Sequence, residues 1–168
     1  MASSKKSKLT RTFKTYIVPK KMKLVIQRVS NANITYQGYH GTIGKGYVVL
    51  CGFLSTDNTQ IIHHLLDKLL KLRIFEDSNG KMNKSIVDIE GDIMFVPNFT
   101  LYADASSSNR PSFSNAAPAS VSNPMYDECV QYLNKIYPND KLAFGGFGAD
   151  MLVNIVNDGP VTIILEKC

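Results

Sequence analysis

Two short stretches hold the residues whose types and spacing point to chemistry. One is VPNFTLYAD, from Val96 to Asp104, where a proline, an amide and a hydroxyl interrupt an apolar run. The other is NDGPVT, from Asn157 to Thr162, a Gly-Pro pair between two apolar runs able to form strands. Asn-Gly alone would serve an ordinary hairpin turn, and proline has no N–H to give to a ladder. Each stretch also has a plain structural reading, a bulge for the first and a turn for the second. Thr100 is the one hydroxyl of the first stretch, and a threonine without an adjacent base is a weak nucleophile.

The usual side-chain machinery is missing elsewhere. His63 and His64 are helix neighbours about 100° apart, so they cannot share a metal as an i, i+4 pair does. One is expected half-buried and the other exposed, and His40 falls in a turn. There is no HExxH, HxE or GxSxG motif, and no Ser-His-Asp set assembles. GKGYVV and GGFGAD are glycine-rich but lack the Lys-Ser/Thr of a phosphate loop. Asp88, Glu90 and Asp92 read as a solvated turn. No metal and no cofactor is expected.

The elements that must position these residues can be read from periodicity. KLVIQRV and NITYQ read as two strands and IGKGYVVLCGFL as a third, with Gly38 and Gly41 bracketing the turn between the last two. In TDNTQIIHHLLDKLLKLRIFED, Ile61, Leu65, Leu69 and Leu72 share a helical face with Ile62, Leu66 and Leu70 beside them. Thr56, Asp57 or Asn58 would cap its start. DSNGKMNKS is a polar turn region, and GDIMFVPNFTLYAD a strand interrupted by Pro97. ASSSNRPSFSNAAPASVSNP is a long small-residue loop, the kind that tends to carry function or disorder. MYDECVQYLNKIY is a second helix, and KLAFGGFGAD, MLVNIVN and PVTIILE complete the strands. The order β-β-β-α-β-α-β-β-β fits an α+β domain with a curved, mostly antiparallel sheet.

With 168 residues, 44% hydrophobic and 20% charged, the chain suits one domain with a real core. No apolar run approaches membrane-spanning length. Cys51, Cys129 and Cys168 form no CxxC and no even disulfide set, so a reducing compartment, the cytoplasm, is expected. Cys51 reads as a buried thiol. The net charge of +5 is concentrated at one end: residues 1–21 hold seven Lys or Arg and no acid, which leaves the remainder near −2. The domain proper is read as 22–168. The basic extension has three readings: an organellar transit segment, an arm for nucleic acid, or a solvated tail.

Together, MKLVIQRVSNANI, LRIFEDSNGKMNKSI, FTLYAD, RPSF, NAAP, FGADM and NDGPVT resemble, in order and spacing, the D-aminoacyl-tRNA deacylases, once called D-tyrosyl-tRNA deacylases. The resemblance runs from Met22 to about Glu166. It implies a barrel-like core with two helices, and a homodimer with active sites at the subunit interface. It implies a cis Gly159-Pro160 peptide that reaches into the partner's site. The implied reaction is hydrolysis of the ester joining a D-amino acid to the 3′-terminal adenosine of tRNA, a proofreading step in translation. A family signature of Ser-Gln-Phe-Thr-Leu is replaced here by Pro97-Asn98-Phe99-Thr100-Leu101. That departure motivates an alternative, the same fold acting on glycyl- or small L-aminoacyl-tRNA. A third reading is a dimeric nucleic-acid-binding factor without catalysis.

The resemblance also assigns roles. Gly159 and Pro160 carbonyls would face the α-amino group of a D-residue, while a rigid wall excludes an L side chain. Hydrolysis of an activated ester needs orientation, an oxyanion partner and a water. Backbone N–H groups of Phe99 and Thr100 are the favoured oxyanion donors, with the Thr100 hydroxyl as a positioning group. In the family the terminal ribose hydroxyl helps to activate the water. Pro97 and Asn98 would line the substrate site. Phe147 would stack on the terminal adenine, or is a core aromatic. Met151 would line the adenosine pocket or fill the core. Arg28 would pair with the partner's Gly-Pro segment or be a surface arginine, and Arg110 would meet phosphate.

Overall fold

The computed structural model describes residues 21–167. The basic extension, apart from Lys21, and Cys168 lie outside the described residues. Met22 is already wholly buried, and its N–H donates to Asp57 Oδ1 at 2.8 Å.

A six-stranded sheet is built around β1, Lys23–Tyr36. β1 pairs antiparallel with β2 (Tyr39–Ile43) through its C-terminal half and with β3 (Gly46–Gly52) through its N-terminal half. After α1 (Thr59–Lys71), β4 (Phe75–Glu76) and β5 (Met82–Lys84) form a small separate hairpin. β6 (Asp92–Pro97) then joins β3 in parallel, and after α2 (Ala119–Ile136) β7 (Leu142–Phe144) joins β6 in parallel. The last strand, β8 (Leu152–Glu166), pairs antiparallel with the other edge of β1. The sheet curls until Tyr36, at the end of β1, donates its hydroxyl to Phe144 O of β7 at 3.1 Å. Gly146 permits that approach, since a Cβ there would stand 2.4 Å from the Tyr36 ring.

Alternation along β3 and β6 sends side chains to two cores. Tyr47, Val49, Ile93 and Phe95 face the helices, and Val48, Met94 and Val96 face the inside of the curl. Both faces are buried, so these strands are apolar throughout. α1 buries Ile61, Ile62, Leu65, Leu66, Leu69 and Leu70, as its period predicts. Of the three candidate caps it is Asn58 that serves, accepting the Ile61 N–H at 3.0 Å. α2 contributes Tyr126, Cys129 and Leu133, and the Tyr126 hydroxyl satisfies Gly145 O at 2.7 Å.

Several segments differ from their sequence reading: the turn bracketed by Gly38 and Gly41 contains the start of strand β2, and α2 starts at Ala119, inside the stretch read as a loop. KLVIQRV and NITYQ are one continuous strand. DSNGKMNKS closes a short hairpin. The Gly-Pro pair is no turn: β8 runs straight through it, with Thr162 opposite Gln27 and Asn157 opposite Val29 on the same partner strand. Residues 158–161 are therefore an expansion of the strand, set opposite Arg28.

Candidate active site

The first suspect stretch folds as a strand end followed by a tight turn. β6 stops at Pro97, which faces Cys51, and the Asn98 N–H donates to Cys51 O at 2.7 Å. A 3₁₀ turn follows over Phe99–Tyr102. Asn98 starts it: its Oδ1 accepts the Thr100 N–H at 3.2 Å and the Thr100 hydroxyl at 2.5 Å. Competition of this kind between an Asn side chain and the ladder ends strands and starts turns. Tyr102 anchors the far end, buried against Gly52, with its hydroxyl on Lys21 O at 2.5 Å. Thr100 is left exposed, and Phe99 is 57% exposed.

Beside this turn lies a cavity of about 400 Å³, within the range of small-ligand sites. Its floor is the end of β3, Cys51 and Gly52, with Phe53 just beyond, and one wall is Pro97, Asn98 and Phe99. The opposite wall comes from the long loop and the start of α2, Phe113 and residues 116–119 with Ser122. Phe147 and Gly148 complete the lining. The Ala117 N–H holds the loop to Phe53 O at 3.0 Å. Phe99 and Phe113 meet edge to face with centroids 5.2 Å apart, and Phe147 lies 6.1 Å from the Tyr126 ring. The lining is largely apolar. Burial pushes the Cys51 thiol well above its ordinary range, with the nearby Cys129 adding to it, so Cys51 is no thiolate nucleophile. The Ser122 hydroxyl donates to Pro118 O at 3.1 Å.

Of the residues singled out in the sequence, Pro97, Asn98, Phe99 and Phe147 come together in this cavity. Thr100 borders it without lining it, and its N–H is already given to Asn98. Met151 packs on the inner core beside Gly145 and lies outside the lining. Arg110 is exposed on the long loop, where its backbone N–H meets Ser108 Oγ at 3.2 Å. Arg28 is no surface arginine. It is 5% exposed, and donates Nη1 to Ile74 O at 2.8 Å and Nε to Asp158 O of its own chain at 3.1 Å. The irregularity in β1 turns it beneath the bulge of β8. Gly159 and Pro160 are joined by a cis peptide, are exposed, and line no part of their own chain's cavity.

The sequence reading missed Phe113, Ala117 and Pro118 as lining residues; RPSF and NAAP were the signal, inside a loop of small residues. His40 lies in β2 rather than in a turn, and is exposed. His63 is half-buried, with Nε2 2.6 Å from Glu128 Oε1 and its ring stacked on Tyr132, and His64 is exposed. No cluster of metal-binding side chains exists among the described residues.

Residues 25–166 match the family model of the D-Tyr-tRNA(Tyr) deacylases. The chain belongs to that family. A D-aminoacyl-tRNA deacylase of Thermosipho africanus (strain TCF52B) is 44% identical over 147 residues, which cover 87% of this chain and 97% of the relative. Among solved structures, a c-Myc DNA Unwinding Element Binding Protein superposes with a TM-score of 0.81 at 39% identity, covering 87% of this chain and 99% of its own. A structure described as a probable eukaryotic D-amino acid tRNA deacylase has a TM-score of 0.75 at 17% identity, covering 88% and 100%, and shows the shared fold. As a member of the D-Tyr-tRNA(Tyr) deacylase family, the chain is a hydrolase of the ester that joins a D-amino acid to tRNA. The apolar cavity beside Asn98 and Phe99 is the deacylase's candidate active site.

Proposed function

We propose that the chain clears D-aminoacyl-tRNA in a homodimer, each cavity being closed by the Gly159-Pro160 tip of the other subunit. The observation that carries this reading is the split between the two suspect stretches. Asn98 and Phe99 line the cavity, whereas the Gly-Pro tip is exposed and lines no part of it within its own chain. On β8, Leu152 and Val156, at 66% and 50% exposure, leave an exposed apolar strip that would seat the second subunit.

In this arrangement the 3′-terminal adenosine enters among Phe113 and Phe147, where an aromatic wall suits a base. The ester carbonyl lies at the start of the 3₁₀ turn. The Phe99 N–H, first of that turn and so without an intrahelical partner, donates to the developing oxyanion. Water attacks the carbonyl carbon, and collapse breaks the bond to the ribose oxygen, which leaves as the hydroxyl of free tRNA. The Gly159 and Pro160 carbonyls accept the α-ammonium of a D-residue, and the rigid tip excludes an L side chain. Arg28 holds the base of the tip from within its own subunit. Cytoplasmic action on the translation pool accords with the reduced cysteines Cys51 and Cys129.

A second reading, nucleic-acid binding without hydrolysis, is favoured by the likeness to the c-Myc DNA Unwinding Element Binding Protein. Deacylation of tRNA charged with D-Tyr or Gly separates the readings. Release of D-Tyr with Gly-tRNA spared supports the strict deacylase. Equal release of both supports the relaxed alternative. Retention of nucleic acid with no release supports the binder.

A further inference from the structure

Resting on the deacylase reading, we propose that the basic segment ahead of Met22 is an arm that grips the phosphates of the tRNA acceptor end. The starting point is a mismatch of charge. A tRNA is a polyanion, yet among the described residues no lysine or arginine lines the cavity. From Met22 onward twelve Lys and Arg stand against fourteen Asp and Glu, so the domain has no excess positive charge to draw tRNA in. Several of the twelve are also engaged. Arg28 is buried on carbonyls of its own chain, and Lys23 and Lys141 pair with Glu166 and Asp92. The other seven Lys and Arg, more than a third of the total, fall within residues 1–21 with no acid among them.

The place where that segment joins the domain gives the charge its target. The 3₁₀ turn that begins at Phe99, on the wall of the cavity, ends at Tyr102. The Tyr102 hydroxyl donates to Lys21 O at 2.5 Å, and the next N–H, that of Met22, donates to Asp57 Oδ1 at 2.8 Å. Asp57 is held in turn, its Oδ2 accepting the Leu54 N–H at 2.7 Å. The root of the arm is thus tied to the same turn that walls the cavity, and the two ends of that turn lie about 6 Å apart at about 2 Å of rise per residue. Twenty residues reach at most about 70 Å when extended. Phosphates succeed one another about every 3.4 Å along each strand of a duplex, so several fall within that reach. Each cation that meets a phosphate releases a counterion, which tightens binding at low salt without touching the ester. The cavity then reads the amino acid and its adenosine, and the arm holds the stem.

The test keeps the full chain and Lys21. Lys5→Gln, Lys6→Gln, Lys8→Gln, Arg11→Gln, Lys14→Gln and Lys20→Gln are combined in one variant. Affinity for uncharged tRNA is measured between about 50 and 200 mM salt. Deacylation of D-Tyr-tRNA is compared with that of D-tyrosyl-adenosine, an ester without phosphate, with thermal melts alongside. At about 0.1 M salt the variant's Kd is expected to rise about 10²-fold, and the slope of log Kd against log salt to fall by about 2–4. KM for D-Tyr-tRNA should rise in step, while kcat and the cleavage of D-tyrosyl-adenosine hold. A Kd within about threefold of wild type with the slope unchanged, or an equal loss on D-tyrosyl-adenosine, overturns the arm. A second measurement leaves all six cations in place. Benzoylphenylalanine substituted for Phe13 is expected to photo-cross-link to the acceptor end, and absence of any cross-link to tRNA also overturns the proposal. If wild type binds tRNA through the arm but leaves D-Tyr-tRNA intact, the deacylase reading fails alone. If wild type cleaves D-Tyr-tRNA and the variant binds and cleaves it equally well, the arm fails alone.

Discussion

Gly159 has a φ of +131°, and a Cβ built on it would stand 2.7 Å from Val161 Cγ2 and 2.9 Å from the Val161 nitrogen. No L side chain fits there without moving the backbone. Gly159→Ala is expected to displace the carbonyls of the tip and to lower kcat on D-Tyr-tRNA by about 10²-fold, the cost typical of a misplacement near 1 Å. A melt within a few degrees of wild type would show that the fold survives. An unchanged kcat would remove the tip from the mechanism. At this scale the sequence was informative about residue type and silent about partners. Asn98 was legible as unusual, whereas its two hydrogen bonds to Thr100 needed the turn. Arg28 read equally well as a surface residue, because nothing in QRVSN signals that the strand slips there and buries it. Phe113 was hidden among serines.

The elements were readable where one period dominated and unreadable where two strands had to meet. The α1 face follows from its spacing alone, and its cap was narrowed to three neighbours. Asn58→Ala should cost about 1 kcal/mol in denaturant unfolding and leave deacylation unchanged, since no residue of α1 lines the cavity. The apolar runs either side of NDGP were read as two strands and a turn. They form one strand because β1 accepts both halves, a long-range fact that local pattern cannot carry. FTLY alternates like a strand and becomes a 3₁₀ turn through Asn98. The turn between β5 and β6 makes a pH prediction. The Ser85 N–H, and then its hydroxyl, hold the Asp88 carboxyl below the usual carboxylate range; N–H groups of Lys81 and Asn79 do the same for Asp77. A depressed native pKa adds stability above the unfolded value, near 4, and loses it as pH falls through the native value. The melting temperature should therefore drop with acid below about pH 4, and Asp88→Asn should flatten that drop. A variant as acid-sensitive as wild type would contradict the assignment.

The cavity lies at one end of β3 and β6, and the Gly159-Pro160 tip on β8 is exposed. No helix among the described residues is long and apolar enough to cross a membrane. The exposed β8 strip is where the proposed second subunit would seat. Val156→Glu should yield a folded monomer in sedimentation, with deacylation reduced by about 10²-fold or more, because each cavity then lacks its tip. A fully active monomer would contradict the shared site. Chirality tests the shared site most directly. Wild-type protein should be given D-Tyr-tRNA and L-Tyr-tRNA in parallel, under single-turnover conditions. Exclusion by a rigid wall predicts release of D-Tyr at least about 10²-fold faster than L-Tyr, and equal rates on the two would contradict it.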